Sequence, residues 1–111
     1  MRLIHYRTQG NKDVYQTWID SLRDMAGRIA VMRRVDRLSE ENFGDCKFCR
    51  DGVSELKIDK GPGYRVYFSR LRNDFILLLC AGDKSTQTQN IDQAIKYLAD
   101  FKARGGNDDD E

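Results

Sequence analysis

The sequence predicts an α+β protein: one small antiparallel sheet packed by helices, in the order β-α-α-β-β-β-α. Three observations carry that prediction. Apolar residues recur at helical spacing from Val14 to Leu38, give way to alternation and then a continuous apolar run between Val53 and Ala81, and return to helical spacing from Ile91 to Phe101. The three strand-like runs are consecutive and separated by short turn sequences, so an antiparallel meander is the economical topology. A length of 111 residues leaves room for one domain and one core.

Leu3 to Arg7 reads as a short first strand, with Leu3, Ile4 and Tyr6 as its apolar content and "TQGNKD" ending it. Val14, Tyr15, Trp18, Ile19, Leu22 and Met25 then form a helical stripe, with Asn11 or Asp13 as its cap. Gly27 interrupts. A second helix follows, with Ile29, Met32, Val35 and Leu38 expected inward and Arg28, Arg33, Arg34 and Arg37 outward; "ENFGD" marks its end. Two helices joined at a glycine read as an αα-hairpin.

The period then changes. "VSELKID" (53–59) places Leu56 and Ile58 on one face and Glu55, Lys57 and Asp59 on the other. "GPG" supplies a turn. "YRVYFSR" (64–70) alternates Tyr64, Val66 and Phe68 against Arg65, Tyr67 and Ser69, and "LRND" is a second turn. "FILLLCA" (75–81) is apolar throughout, as a central strand covered on both sides requires. "GDKSTQ" ends it. The last helix carries Ile91, Ala94, Ile95, Leu98 and Phe101 and fades before Gly105-Gly106. All three helices are expected on one face of the sheet. Residues 1–104 read as a single domain and 105–111 as a flexible acidic tail.

Hydrophobic residues make up 40% of the chain and charged residues 33%, the balance of a soluble globular protein. The longest apolar run, Phe75 to Ala81, is far too short to span a bilayer. No charged-then-apolar leader opens the sequence, and the expectation is a cytoplasmic protein without membrane attachment. The net charge of +1 hides an asymmetry: four of the 18 acids lie in Asp108 to Glu111, so the remainder carries 19 basic against 14 acidic side chains. A basic body permits a polyanionic partner without demanding one.

Three chemistries are weakly supported. "CKFC" has C-x-x-C spacing at Cys46 and Cys49, but tetrahedral zinc wants a second ligand pair, and the third cysteine, Cys80, stands alone. His5, the one histidine, lies in the first strand, so no Ser-His-Asp arrangement is credible. No paired-carboxylate metal site stands out. The expectation is a protein working with no metal and no cofactor.

Strand alternation puts Arg65, Tyr67 and Lys57 on the face away from Val66 and Phe68, and Lys84 follows the last strand. Arginine suits bidentate phosphate contact, and tyrosine stacks on exposed bases. A solvated strand face also carries Arg, Lys and Tyr, so periodicity alone leaves both readings open.

"VSELKIDKGPGYRVYF" followed by "LLLCAGDKSTQTQNIDQAIKYL" resembles the addiction-module killer proteins, HigB-like members of the RelE/ParE toxin superfamily, over about Asp13 to Phe101. The resemblance implies a RelE-like fold and a toxin that cuts mRNA, usually on the ribosome. It implies a small antitoxin partner, often a helix-turn-helix protein, and operator DNA bound only through that antitoxin. It implies catalytic roles for Arg65 of "GYR" and Lys84 of "GDK", and RNA binding by Lys57; strand alternation adds Tyr67 as the RNA-binding residue expected to stack on a base. Where some RelE-type RNases carry a tyrosine in the first turn of the final helix, this chain has Asn90, with Gln87 and Gln89 nearby. With no histidine in reach, the resemblance leaves proton transfer unassigned. ParE-type relatives poison DNA gyrase on the same fold, so a non-catalytic toxin or an inert antitoxin-binding relative is the alternative.

Overall fold

A computed structural model describes residues 1–72 and 74–105. The chain runs through β1 (Arg2–His5), α1 (Val14–Ser21), α2 (Met25–Ser39), β2 (Cys46–Arg50), β3 (Val53–Ile58), β4 (Tyr64–Leu71), β5 (Phe75–Asp83), a 3-10 turn (Lys84–Thr86) and α3 (Gln87–Ala103). The α+β class is as expected. Beyond Gly105, the tail expected over 105–111 lies outside the described residues. Among those described, no helix is long and apolar enough to cross a membrane.

The sheet has five strands in the order β1-β5-β4-β3-β2. The meander β3-β4-β5 is antiparallel, with Leu56 opposite Val66 and Val66 opposite Ala81. Two features correct the expected all-antiparallel sheet. β1 runs parallel to β5, Arg2 opposite Phe75 and His5 opposite Leu78. It leads into α1 and α2 rather than into a hairpin, and it covers the outer edge of the apolar β5, whose backbone groups need partners. β2, an additional strand, was hidden in "CKFCR", where Lys47, Phe48 and Arg50 stay exposed because the strand lies at the sheet's edge. Asp51 and Gly52 connect it to β3, both with positive φ, as a tight two-residue hairpin turn requires.

The helices do not share one face. α1 and α2 pack over Leu56, Ile58, Val66, Phe68, Ile76 and Leu78. α3 packs over Tyr67, Leu77, Leu79 and Cys80 on the opposite face. β5 is apolar on both sides because both faces bury it. A register shift between Tyr67 and Phe68 in the β4–β5 ladder lets the neighbours Leu79 and Cys80 both meet the α3 side.

The phase of α2 also departs from expectation. Its buried stripe is Gly27, Val31, Val35 and Leu38, while Ile29 and Met32 are exposed. Asp24 starts this helix early by accepting the Gly27 N–H at 2.9 Å. Gly27 is therefore a packing position inside the first turn, not a break: a side chain there would run into Asp24 and the Tyr64 ring. Arg34, expected outward, is half-buried and donates to the carbonyls of Lys57 (2.6 Å) and Phe43 (3.1 Å), tying α2 to the approach of β2 and to β3.

Candidate active site

The site begins with cross-strand register. Lys57 on β3 lies directly opposite Arg65 on β4, and Arg65 opposite Gly82 on β5. One row along, Lys47 faces Glu55 and Glu55 faces Tyr67. Directly opposed residues share a face, so these side chains all lie on the α3 side of the sheet. Past the first turn of α3 that face opens into a hollow of about 290 Å³ lined by Asp45, Lys47, Glu55, Lys57, Arg65 and Gln87. This is the small end of the roughly 300–1,000 Å³ range of ligand sites, suited to a phosphate-sized group rather than a large cofactor.

Arg65 forms the floor. It is 6% exposed, its Nη1 donates to the Gly63 carbonyl at 2.9 Å, and its Nε faces Glu55 Oε2 at 3.5 Å. That approach is too long to satisfy the Nε–H, which has no hydrogen-bond partner among the described residues. Glu55, 3% exposed, accepts a 2.7 Å hydrogen bond from Gln87 Nε2 of α3. A buried cation and a buried carboxylate are thus held side by side, each fixed from a different element.

The "GPG" turn sets the approach to Arg65. Gly61 and Gly63 both have positive φ. A Cβ on Gly63 would lie 3.3 Å from Arg65 Nη1 and 3.6 Å from the Lys84 Cβ. The guanidinium and the root of Lys84 therefore flank the same glycine. Lys84 is exposed and stands outside the residues lining the hollow. "GDKST" is a capped turn: Asp83 accepts from the Ser85 N–H at 2.9 Å and shares a capping box with Thr86. Asn90 accepts from Thr86 Oγ1 at 2.6 Å, so its side chain braces this turn.

The structure thus brings Lys57 and Arg65 together, with Lys84 close by. It does not offer Tyr67 to a base. Tyr67 is 0% exposed, packed among Val53, Leu77, Leu79 and Leu98, so its ring has no free face. α3, expected with the other helices, covers it. Burial first, then the Glu55 charge, pushes the Tyr67 phenol far above its ordinary range and keeps it protonated. Strand reading missed Glu55, Lys47 and Gln87 as site residues. Alternation placed Glu55 on the right face, but its pairing with Arg65 and Gln87 follows only from three-dimensional register.

Cys46 and Cys49 are half-buried free thiols on β2, and burial raises both above the ordinary thiol value. Cys80, beneath α3, is pushed by burial up to about 12. None of the three is poised as a thiolate at neutral pH.

Fold and site together define a small α+β protein with a charged hollow on the α3 side of its sheet. No protein-family model matches the sequence. The chain is 44% identical over 85 residues to an uncharacterized protein of Haemophilus influenzae, a match covering 77% of this chain and 85% of that one. The chain belongs to the same family as that protein.

Proposed function

We propose that this chain is a RelE-like toxin of a type II toxin–antitoxin pair, a metal-independent endoribonuclease that cuts mRNA on the ribosome in the cytoplasm. The observation that carries the reading is the opposition of Lys57 and Arg65 in an open hollow that also holds a carboxylate, with Lys84 at the adjoining turn. Its partners are a helix-turn-helix antitoxin, mRNA and the ribosome, with operator DNA reached only through the antitoxin.

In this reading the 2′-oxygen of one nucleotide bonds to its own 3′-phosphorus as the P–O5′ bond breaks, leaving a 2′,3′-cyclic phosphate and a 5′-hydroxyl. Glu55 takes the 2′-hydroxyl proton. Arg65 holds the non-bridging oxygens as negative charge grows on them. Lys84 protonates the departing O5′, and Lys57 holds a flanking phosphate. Base stacking falls to the ribosome or to another residue, since Tyr67 is enclosed.

A second reading rests on the 6% exposure of Arg65 and its pairing with Glu55. There the pair is structural, and the protein is a gyrase-directed toxin or an antitoxin-binding relative. Induction in growing bacteria separates the readings. Cleavage mapped by primer extension, together with rapid loss of translation, supports the nuclease; DNA damage signalling without mRNA cuts supports the gyrase reading. In the nuclease, Arg65→Ala abolishes arrest while antitoxin binding persists. The double variant Arg65→Gln/Glu55→Gln, which buries no lone charge, does the same. Undiminished arrest by a folded double variant rules out the hollow as the active site.

A further inference from the structure

Away from the hollow, α2 breaks the ordinary rule for a surface helix. Met25, Ile29 and Met32 are 57%, 46% and 48% exposed. They recur at i, i+4 and i+7, so they form one ridge along the side of α2 opposite its buried stripe. A scattered exposed apolar residue needs no explanation, but three in line on one helix do. Two grooves run alongside α2, the second of them reaching the ridge at Met32. One, about 270 Å³, is lined by Arg33, Arg34, Arg37 and Lys60 together with Ile58 and Asp59. The other, about 170 Å³, has Met32, Val35, Tyr15, Ile19 and Leu3 in its walls. Arg33 and Arg37 are exposed, and their side chains make no ion pair among the described residues.

We propose that this outward face of α2 docks an amphipathic helix of a protein partner, whose apolar stripe seats on Met25, Ile29 and Met32 and whose carboxylates meet Arg33 and Arg37. Charge complementarity selects that occupant. A second copy of this chain would bring like arginines together, and same-sign juxtaposition opposes association. A nucleic acid would place its phosphates against cations, whereas the middle of this ridge is apolar. An anionic lipid surface would press negative charge on Asp36 as well, exposed at i+4 from Met32 and in line with the ridge, whereas a helix can confine its carboxylates to the side of Arg33 and Arg37. Methionine side chains re-pack readily, which suits a surface that accepts a helix. The argument is independent of the chemistry in the hollow.

The test uses the full chain and a synthetic helical peptide of about four turns, with leucines at i, i+4 and i+7 and flanking glutamates. A second peptide carries lysine at each glutamate. Isotope-labelled protein should show saturable resonance shifts confined to Met25–Arg37 and the adjoining groove walls with the glutamate peptide, and much weaker binding of the lysine peptide. Ile29→Glu should weaken binding at least about tenfold without changing the melting temperature. The double reversal Arg33→Glu/Arg37→Glu should exchange the preference, so that the lysine peptide binds better. That exchange is a readout a merely structural role would not move. The proposal is overturned by no saturable binding of the glutamate peptide, by shifts centred elsewhere, or by equal affinity for both peptides. It is equally overturned if the chain alone dimerises through α2, or if RNA or anionic phospholipid vesicles displace the peptide from the ridge.

Discussion

Glu55 and Arg65 meet at 3.5 Å with almost no exposure of either, and each is also anchored elsewhere, to Gln87 and to the Gly63 carbonyl. Two demands converge on this pair. Folding needs the charges to remain together, because removing one leaves the other buried and alone, at a cost of about 3–5 kcal/mol. The proposed chemistry needs both to face a phosphate. Glu55→Ala should therefore be destabilised by roughly that amount in urea unfolding, while Glu55→Ala combined with Arg65→Met should lose less than the sum of the single changes. Glu55→Gln keeps an acceptor for Gln87 but leaves the Arg65 charge uncompensated and cannot take a proton, so it should be less stable than the parent and, measured where it is still folded, lose RNA cleavage by about 10²–10⁴-fold. Full cleavage by folded Glu55→Gln would place the proton elsewhere. Tyr67 marks what one strand can tell. Alternation assigned its face correctly, but depth is set by α3, more than twenty residues on, which packs over it through Leu98.

At the level of elements, legibility followed local signals. The meander was readable because alternating and apolar runs were separated by Gly-, Pro- and Asn-rich turns. β2 was not readable: an edge strand with one partner exposes Lys47, Phe48 and Arg50 and shows no clean alternation. The phase of α2 went astray in its first half, because Ile29 and Met32 mimic a core stripe with Val35 and Leu38 and Met25 continues the stripe of α1, whereas the buried line runs through Val31 and through Gly27, a residue chosen for its lack of a side chain. The signal that fixes the true phase is Asp24. Its carboxylate accepts from the Gly27 N–H at 2.9 Å and from the Tyr64 hydroxyl at 2.9 Å, linking the start of α2 to β4. The Gly27 N–H and then the Tyr64 hydroxyl hold its pKa below the ordinary 3.8. A depressed folded-state pKa contributes stability that is fully present above pH 3.8 and fades as pH falls through the folded value. Asp24→Asn keeps a capping oxygen but cannot titrate. It should melt a few degrees below the parent at neutral pH, and the gap should close in acid below pH 3.8. A gap that is constant from neutral to strongly acidic solution would show that the charge of Asp24 contributes nothing.

For the whole molecule, the sheet is shared property. α1 and α2 bury one face, and α3 buries part of the other, leaving the hollow where its cover stops. That arrangement was half legible: the apolar run of β5 announced cover on both sides, while the division of the helices between the faces depends on long-range crossings that no local pattern encodes. Its mechanical consequence is coupling. Leu77 and Leu79 point to α3, and their neighbours Ile76 and Leu78 point to α1 and α2, so disturbing one layer strains the same strand that supports the other. Trp18, the single tryptophan, packs mainly on the α1–α2 side against Tyr64, with ring centroids 5.8 Å apart, and its outer edge lines a cavity with Asn90, Gln93 and Tyr97 of α3. Leu98, 3% exposed, belongs to the α3 side. Leu98→Ala should cost about 2–5 kcal/mol. If the two layers unfold as one, tryptophan fluorescence and far-ultraviolet circular dichroism should shift to the same lower urea midpoint. If Trp18 keeps its parental midpoint while helical signal is lost earlier, the α3 layer detaches on its own. The hollow, roofed at one end by Gln87 of α3, would then open and close with that layer rather than standing preformed.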